Sequence, residues 1–425
     1  MALAAIGRSL AHRNYRLFFF GQTVSLIGTW MQQTASPWLV LKLTDSPLWL
    51  GLVAAAGQLP AFVVSPFAGV IMDQVPRRRL LVVTQALMMV QALLLAVLTL
   101  CGKVEAWHVL VLSVGLGVVN AFDLTGRQAF LSEMIERPED LSNAIALNSS
   151  MFNGARLVGP SLAGLVIAAA GEGVCFLLNG VSYLAVLAAL LAMRLAPRPW
   201  PAGPAAIWGG LREGVAYAFG SPPIRALLAL VALVSLLAVP YAVMIPVYVK
   251  EKFDGDARLL GVFLSAPGVG AVTGALVLAS RRDVLGLLRR IAWAPAVIGA
   301  ALLAFSFAER LALALPILFV IGFAVAVLLS ACNTTLQTIV DEDKRGRVMS
   351  LYAMAFMGLA PLGSLATGAL AERAGVMVTL RAGGAACLVA AAAFAAWLDR
   401  PLRERVTAIY REKGLVRKAP GPPGA

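Results

Sequence analysis

Charge is what this sequence has least of. Only 13% of its 425 residues are Asp, Glu, Lys or Arg, where a soluble chain carries about a quarter. A buried core does not explain that shortfall, because a water-facing surface must still be covered with polar groups. Much of the chain therefore calls for lipid as its solvent. Histidine is almost missing, with only His12 and His108, and the four cysteines (Cys101, Cys175, Cys332 and Cys387) form no C-x-x-C pair. No ligand set for zinc or haem is left, so neither a metal nor another cofactor is expected. The chain also lacks a Walker A loop, H-E-x-x-H and paired acids, and Gly159-Pro160-Ser161-Leu162-Ala163 misses the G-x-S-x-G elbow. ATP hydrolysis within the chain is thereby excluded, and an enzyme is not expected. Basic residues outnumber acids, 35 to 22. They are scattered between apolar runs with no stripe of interleaved aromatics, so nucleic acid is not an expected partner.

What is there is apolar sequence: 60% hydrophobic residues and a mean hydropathy of +0.83. The runs are continuous over roughly 20 residues or more, the length that crosses a hydrocarbon core as helix. Barrel strands would show alternating segments of roughly ten residues. Since lipid offers no partner for backbone N–H and C=O groups, these runs must be helices. Breaks at charge and Gly/Pro clusters place spans at 17–41, 50–72, 80–101, 107–125, 145–169 and 174–193. A second set falls at 226–249, 260–279, 287–307, 311–335, 348–371 and 376–398. The first run is too long for a signal h-region and has no A-x-A exit, so it is expected to stay as a span.

The predicted fold class is thus all-α integral membrane, with twelve helices in two pseudo-symmetric bundles. The expected segments are a first bundle over 1–194, a linker over 195–225, a second bundle over 226–399 and a basic tail over 400–425. Pro197, Pro199, Pro201 and Pro204 stop the sixth span, and 207–219 then has the pattern of a short amphipathic helix on the membrane surface. Most of the Lys and Arg residues fall on the loops that share a side with the N-terminus, which predicts both termini cytoplasmic. The tail suits contact with anionic lipid. A monomer in the bacterial inner membrane, handling a small-molecule substrate, is the expected state.

The two halves repeat. Gly154, Gly159 and Gly164 match Gly358, Gly363 and Gly368 at identical spacing, and Asn143–Leu147 falls opposite Arg347–Leu351. Gly69 before Arg77–Arg79 parallels Gly274 before Arg281 and Arg282. Repeated halves around a central cavity are the architecture of alternating-access carriers.

Two motifs carry a family resemblance over essentially the whole chain. Gly69-Val-Ile-Met-Asp73-Gln-Val-Pro-Arg77-Arg78-Arg79 resembles the G-x-x-x-D-R-x-G-R-R loop of the major facilitator superfamily, with Gln74 and Pro76 departing from it. Asn153-Gly154-Ala-Arg156-Leu-Val-Gly159-Pro160-Ser-Leu-Ala-Gly164 resembles that superfamily's fifth-span antiporter motif. With Phe122-Asp123-Leu-Thr-Gly-Arg127 added, the chain looks like the branch of enterobactin exporters and macrolide-efflux proteins. The resemblance implies the major facilitator fold, export of amphipathic molecules and coupling to H+. Uptake symport, lipid transport, or a non-transporting scaffold on the same fold are the alternatives.

The candidate residues follow. Asp73, Arg77 and Arg127, with Asp123 one helical turn before Arg127, are expected to form a cytoplasmic latch, and Arg78 belongs to the same loop. The competing reading makes Arg77–Arg79 an ordinary positive-inside cluster. Gly154, Gly159, Pro160 and Gly164 allow close helix contact and a bend. Arg156 falls mid-span, where a cation costs ~2.5–3.5 kcal/mol on insertion scales. It either binds an anion or coupling ion, or clamps two helices. Asp123 is the one acid inside a span, as proton carrier or as partner to Arg127. Gln22, Trp30, Gln33, Gln58, Asn120, Asn179, Tyr183, Tyr241 and Asn333 are candidates for lining an apolar chamber, each also able simply to pack or bond a neighbouring helix.

Overall fold

The computed structural model describes residues 7–72, 75–194, 207–280, 285–342 and 344–397, together with residue 406. No strand occurs among them. A short 3-10 turn leads into α1 (Arg13–Thr44), followed by α2 (Pro47–Met72), α3 (Arg77–Leu100), α4 (Ala106–Phe130), α5 (Leu141–Ala170) and α6 (Glu172–Ala192). The helix α7 (Ile207–Gly220) comes next. Then follow α8 (Pro222–Leu237), α9 (Tyr241–Phe253), α10 (Ala257–Ala279), α11 (Leu285–Ser306) and α12 (Leu311–Ile339). α13 (Arg345–Ala353) continues through a π-helical turn, Met354–Gly358, into α14 (Leu359–Ala374), and α15 (Val376–Trp397) ends the bundle.

Eleven segments among the described residues are long and apolar enough to cross a membrane. α1 stands apart from them. It has ample length at 32 residues, but Gln22, Ser25, Gln32 and Thr34 dilute its hydropathy. All four are buried against neighbouring helices, so α1 hides its polar face inside the bundle and completes the expected all-α membrane architecture.

Two crossings are less regular than their sequences suggest. The seventh, expected as one helix over 226–249, is divided into α8 and α9. Pro240 has no N–H to continue the ladder, so α8 closes with the Ala238 N–H donating to Val234 O at 2.8 Å. The eleventh carries the π turn, an insertion that apolar patterning does not register.

The chain packs as two compact units. The first draws on Met1–Ala205, Tyr241–Gly268 and Ser364–Val376, the second on Ala206–Pro240, Val269–Gly363 and Met377–Ala425. In the first unit, α1 lies against α5 and α6, α3 against α6 and α4, and α2 against α4. Tyr15, Phe18, Leu81, Met88, Phe130 and Val186 fill its core. A chain-terminal hook fastens it: His12 Nε2 lies 3.0 Å from Asp140 Oδ2, and the Tyr15 hydroxyl donates to Ala144 O at 2.9 Å.

In the second unit, α7 is held by charge. Glu213 pairs with Lys344 and, at 2.7 Å, with Arg347, while the Tyr217 hydroxyl donates to Asp341 at 2.9 Å. Hydrogen bonds from Lys344 and Arg347 keep the Glu213 carboxyl below the usual carboxylate range. A depressed carboxyl stabilises docking above the pKa it has when undocked, and that stabilisation is lost as pH falls through the docked value. At neutral pH the clamp is therefore closed. Glu213→Gln imitates the protonated form, and trypsin is expected to cut at Arg345 or Arg347 a few-fold faster in that variant. An unchanged cleavage rate would mean that the charges do not hold α7.

Candidate functional site

Asp123 is 0% exposed in α4. Thr84 Oγ1 donates to its Oδ1 at 3.0 Å and Gln85 Nε2 at 2.6 Å, both from α3. Arg127 Nε stands 2.7 Å from Oδ2, one helical turn along α4. One carboxylate oxygen thus holds two donors and the other a charge. Arg77 goes elsewhere: its Nη1 donates to Ala129 O at 3.0 Å and to Glu133 Oε1 at 2.8 Å. A cation over the last carbonyls of α4 is favourable for the helix dipole. Arg78 Nη2 donates to Leu191 O at 2.7 Å, at the end of α6. Asp73, Arg281 and Arg282 lie outside the described residues; Gly69 falls in the last turns of α2.

The glycine repeat divides by what each position faces. A Cβ on Gly159 would collide with Trp30 Cβ of α1, and one on Gly164 would stand 2.5 Å from Ala257 O at the start of α10. In the other half, a Cβ on Gly363 would collide with Leu236 O of α8, and one on Gly368 would stand 2.9 Å from Pro47 O at the start of α2. The equivalences are reciprocal. Gly261 of α10 meets Pro160 O and Gly164 of α5, while Gly51 of α2 meets Ser364 O and Gly368 of α14. Only glycine lets two backbones come this close. Ser161 and Ser265 join their hydroxyls across the first crossing at 2.8 Å. Beside the second, Glu372 Oε2 accepts from Ser46 Oγ at 2.7 Å and from the Leu48 N–H at 3.2 Å, capping α2. Lys250 pairs with Asp45 at 2.8 Å. Gly154 is different: nothing lies within 4 Å of its Cβ position.

The polar candidates separate into lining and wiring. Asn179 Nδ2 donates to Gln32 Oε1 at 2.8 Å, and Gln32 Nε2 donates to Gln91 Oε1 at 2.9 Å. This amide chain ties α6, α1 and α3 together. Gln22 and Tyr183 are buried, with the Tyr183 hydroxyl 3.4 Å from Thr29 Oγ1. Gln33 and Gln58 are exposed, Asn120 and Tyr241 half-buried, and Asn333 accepts from Gln337 in α12. Arg156 is exposed and lies 5.8 Å over the Trp30 ring. Trp30 in turn meets Phe152 edge-on at 5.7 Å. Tyr241 is within electrostatic range of Arg156.

Residues 7–409 match the family described as transmembrane secretion effectors. The chain belongs to that family. Among curated relatives, it is 29% identical to the multidrug efflux pump Tap of Mycolicibacterium fortuitum, over 86% of this chain and 91% of the relative. It is 24% identical to the staphyloferrin A transporter of Staphylococcus aureus, with 86% and 91% covered. Macrolide efflux protein A of Streptococcus pyogenes is 22% identical, with 86% and 92% covered. Among solved structures, a bacterial homologue of the iron transporter ferroportin in an inward-facing state gives a TM-score of 0.70. It is 18% identical and covers 91% of this chain and 99% of that one. At that identity the match shows the fold alone, which is the major facilitator fold. Family and fold make this transmembrane secretion effector a multi-pass membrane transporter.

Proposed function

We propose that the chain exports small amphipathic molecules across the bacterial inner membrane by alternating access, driven by protons, with both termini cytoplasmic. The observation that carries this reading is the pair of repeat-related glycine crossings, Gly164 with Gly261 and Gly51 with Gly368. Each joins a helix of the first sequence half to one of the second. With both termini cytoplasmic, as the loop charges favour, that end of the first unit faces the periplasm. Backbone-on-backbone contact seals it tightly. The ion pair between the two sequence halves there, Lys250–Asp45, is exposed and of the kind that contributes about 0–1 kcal/mol. A seal of this kind excludes substrate and still parts at small cost. Export as the direction is supported by relatives whose names describe efflux. Asp123 is the proposed proton carrier, since it is an acid buried within a span whose protonation would release Arg127.

The test is accumulation of labelled macrolides, siderophores and dyes in cells, with and without a protonophore. Cells making the chain are expected to hold less of at least one compound, and the protonophore should remove the difference. A Cys101→Ser chain carrying Asp45→Cys and Lys250→Cys is expected to lose export when oxidised and regain it on reduction. Accumulation unchanged across the panel would sink the export reading, and a rise would make the chain an importer.

A further inference from the structure

We propose that Arg156 is a carboxylate site, and that the molecules carried include amphipathic organic acids whose apolar body rests on Trp30 and Phe152. This deepens the transport reading above and rests on it. Arg156 makes no ion pair and no hydrogen bond among the described residues, although it sits midway along a membrane-spanning helix. A cation there is costly unless something neutralises or solvates it. Asp123, the acid buried within a span of the same unit, is already committed to Arg127, Thr84 and Gln85. The repeat counterpart of Arg156 is Ala360, so the fold does not require a cation at this place.

Arg156 lies on the side of α5 opposite the exposed apolar residues that follow it. At 100° per residue, Val158 lies about 160° away around the helix, and Leu162 and Leu165 share that far side. Those three are the exposed large apolar residues next along α5. The Arg156 side carries Ser149 and the exposed Ile145 and Phe152, with Trp30 of α1 beneath the guanidinium and Tyr241 of α9 within electrostatic range. The guanidinium is spread over an aromatic face that leaves its N–H fork unspent. A planar fork of this kind accepts both oxygens of a carboxylate at once. The Trp30–Phe152 pair beside it supplies the apolar bed that an amphipathic acid needs. A clamp between helices would instead have spent those donors on carbonyls or acids.

The experiment is equilibrium binding of two probes, dansyl-phenylalanine and its primary amide, to the full chain in lipid nanodiscs. They differ only in the carboxylate. The intact chain is expected to bind the acid about ten-fold tighter than the amide. Arg156→Gln should level the two affinities, and Arg156→Lys should keep part of the preference. Trp30→Ala should weaken acid and amide alike, because it removes the bed and leaves the charge. The melting temperature of each variant checks that it is folded. Equal affinities in the intact chain, including no binding of either probe, would overturn the proposal, as would a preference surviving Arg156→Gln. If protonophore-sensitive export of neutral dyes persists while the acid preference is missing, this inference fails alone. If the preference holds while cellular accumulation does not change, the export reading fails and the carboxylate site stands.

Discussion

Asp123→Asn is expected to lower the apparent melting temperature of the purified chain by roughly 5–10 °C and to abolish protonophore-sensitive efflux. The physical case is the asymmetry between making and breaking a buried pair. Removing one partner of a fully buried ion pair costs about 3–5 kcal/mol, because the other charge is left without compensation. Here the Arg127 side chain keeps 20% of its surface, so water recovers some of that loss and about 2–3 kcal/mol is the expected cost. For a unit of this size each kcal/mol moves the melting temperature by roughly 2–4 °C. The amide also keeps only one acceptor oxygen, so its NH2 must face either the Thr84 and Gln85 donors or the Arg127 guanidinium, all of which point at the carboxylate in the intact chain. The double variant Asp123→Asn/Arg127→Gln separates two roles. Deleting both charges should return most of the stability. If Asp123 carries the proton, efflux should stay lost; if Asp123 only holds Arg127, efflux should return with the fold. A single variant that melts and exports like the intact chain would show that the pair matters to neither.

The sequence made some of this legible and not the rest, for reasons that lie in helix geometry. Apolar runs locate spans because lipid allows only one way to pair the backbone. Glycine spacing located the crossings because two halves of one fold must solve the same contact twice. Gln33 shows the limit. The neighbouring Gln32 is the buried one, tied to Gln91 and Asn179, and a single residue turns a side chain by 100°. Gly21, Ser25, Gly28 and Gln32 recur at helical spacing and are all buried; that stripe was the available signal. Glu133, the partner of Arg77, left none. It sits beyond α4, 56 residues away, and only packing brings the two together. The division of the seventh crossing was half visible, in Pro240. The π turn of the eleventh was invisible, since one extra residue in a turn leaves hydropathy unchanged.

Gly159 is where one added methyl should do most harm. Its Cβ position overlaps Trp30 Cβ and lies 3.3 Å from Ile27 O. Neither obstacle can swing aside, because one is the stem of a large side chain and the other is helix backbone. α1 and α5 would have to move apart along a packed interface, and overpacking of that kind costs about 1–3 kcal/mol. The displacement falls on Trp30, which carries both Arg156 and Phe152. Gly159→Ala is therefore expected to melt several degrees lower and to lose most export, and Gly159→Leu to accumulate poorly in the membrane. Gly154→Ala is the matched control, one and a half turns earlier in the same helix. With nothing within 4 Å of its Cβ position, alanine has room there and replaces a residue that weakens a helix by about 1 kcal/mol. It should melt no lower than the intact chain and export as well. The comparison isolates position from chemistry, since the same atom is added to the same motif twice. Equal behaviour of the two variants would mean that α1 and α5 do not meet at Gly159, and the aromatic bed beneath Arg156 would lose its foundation.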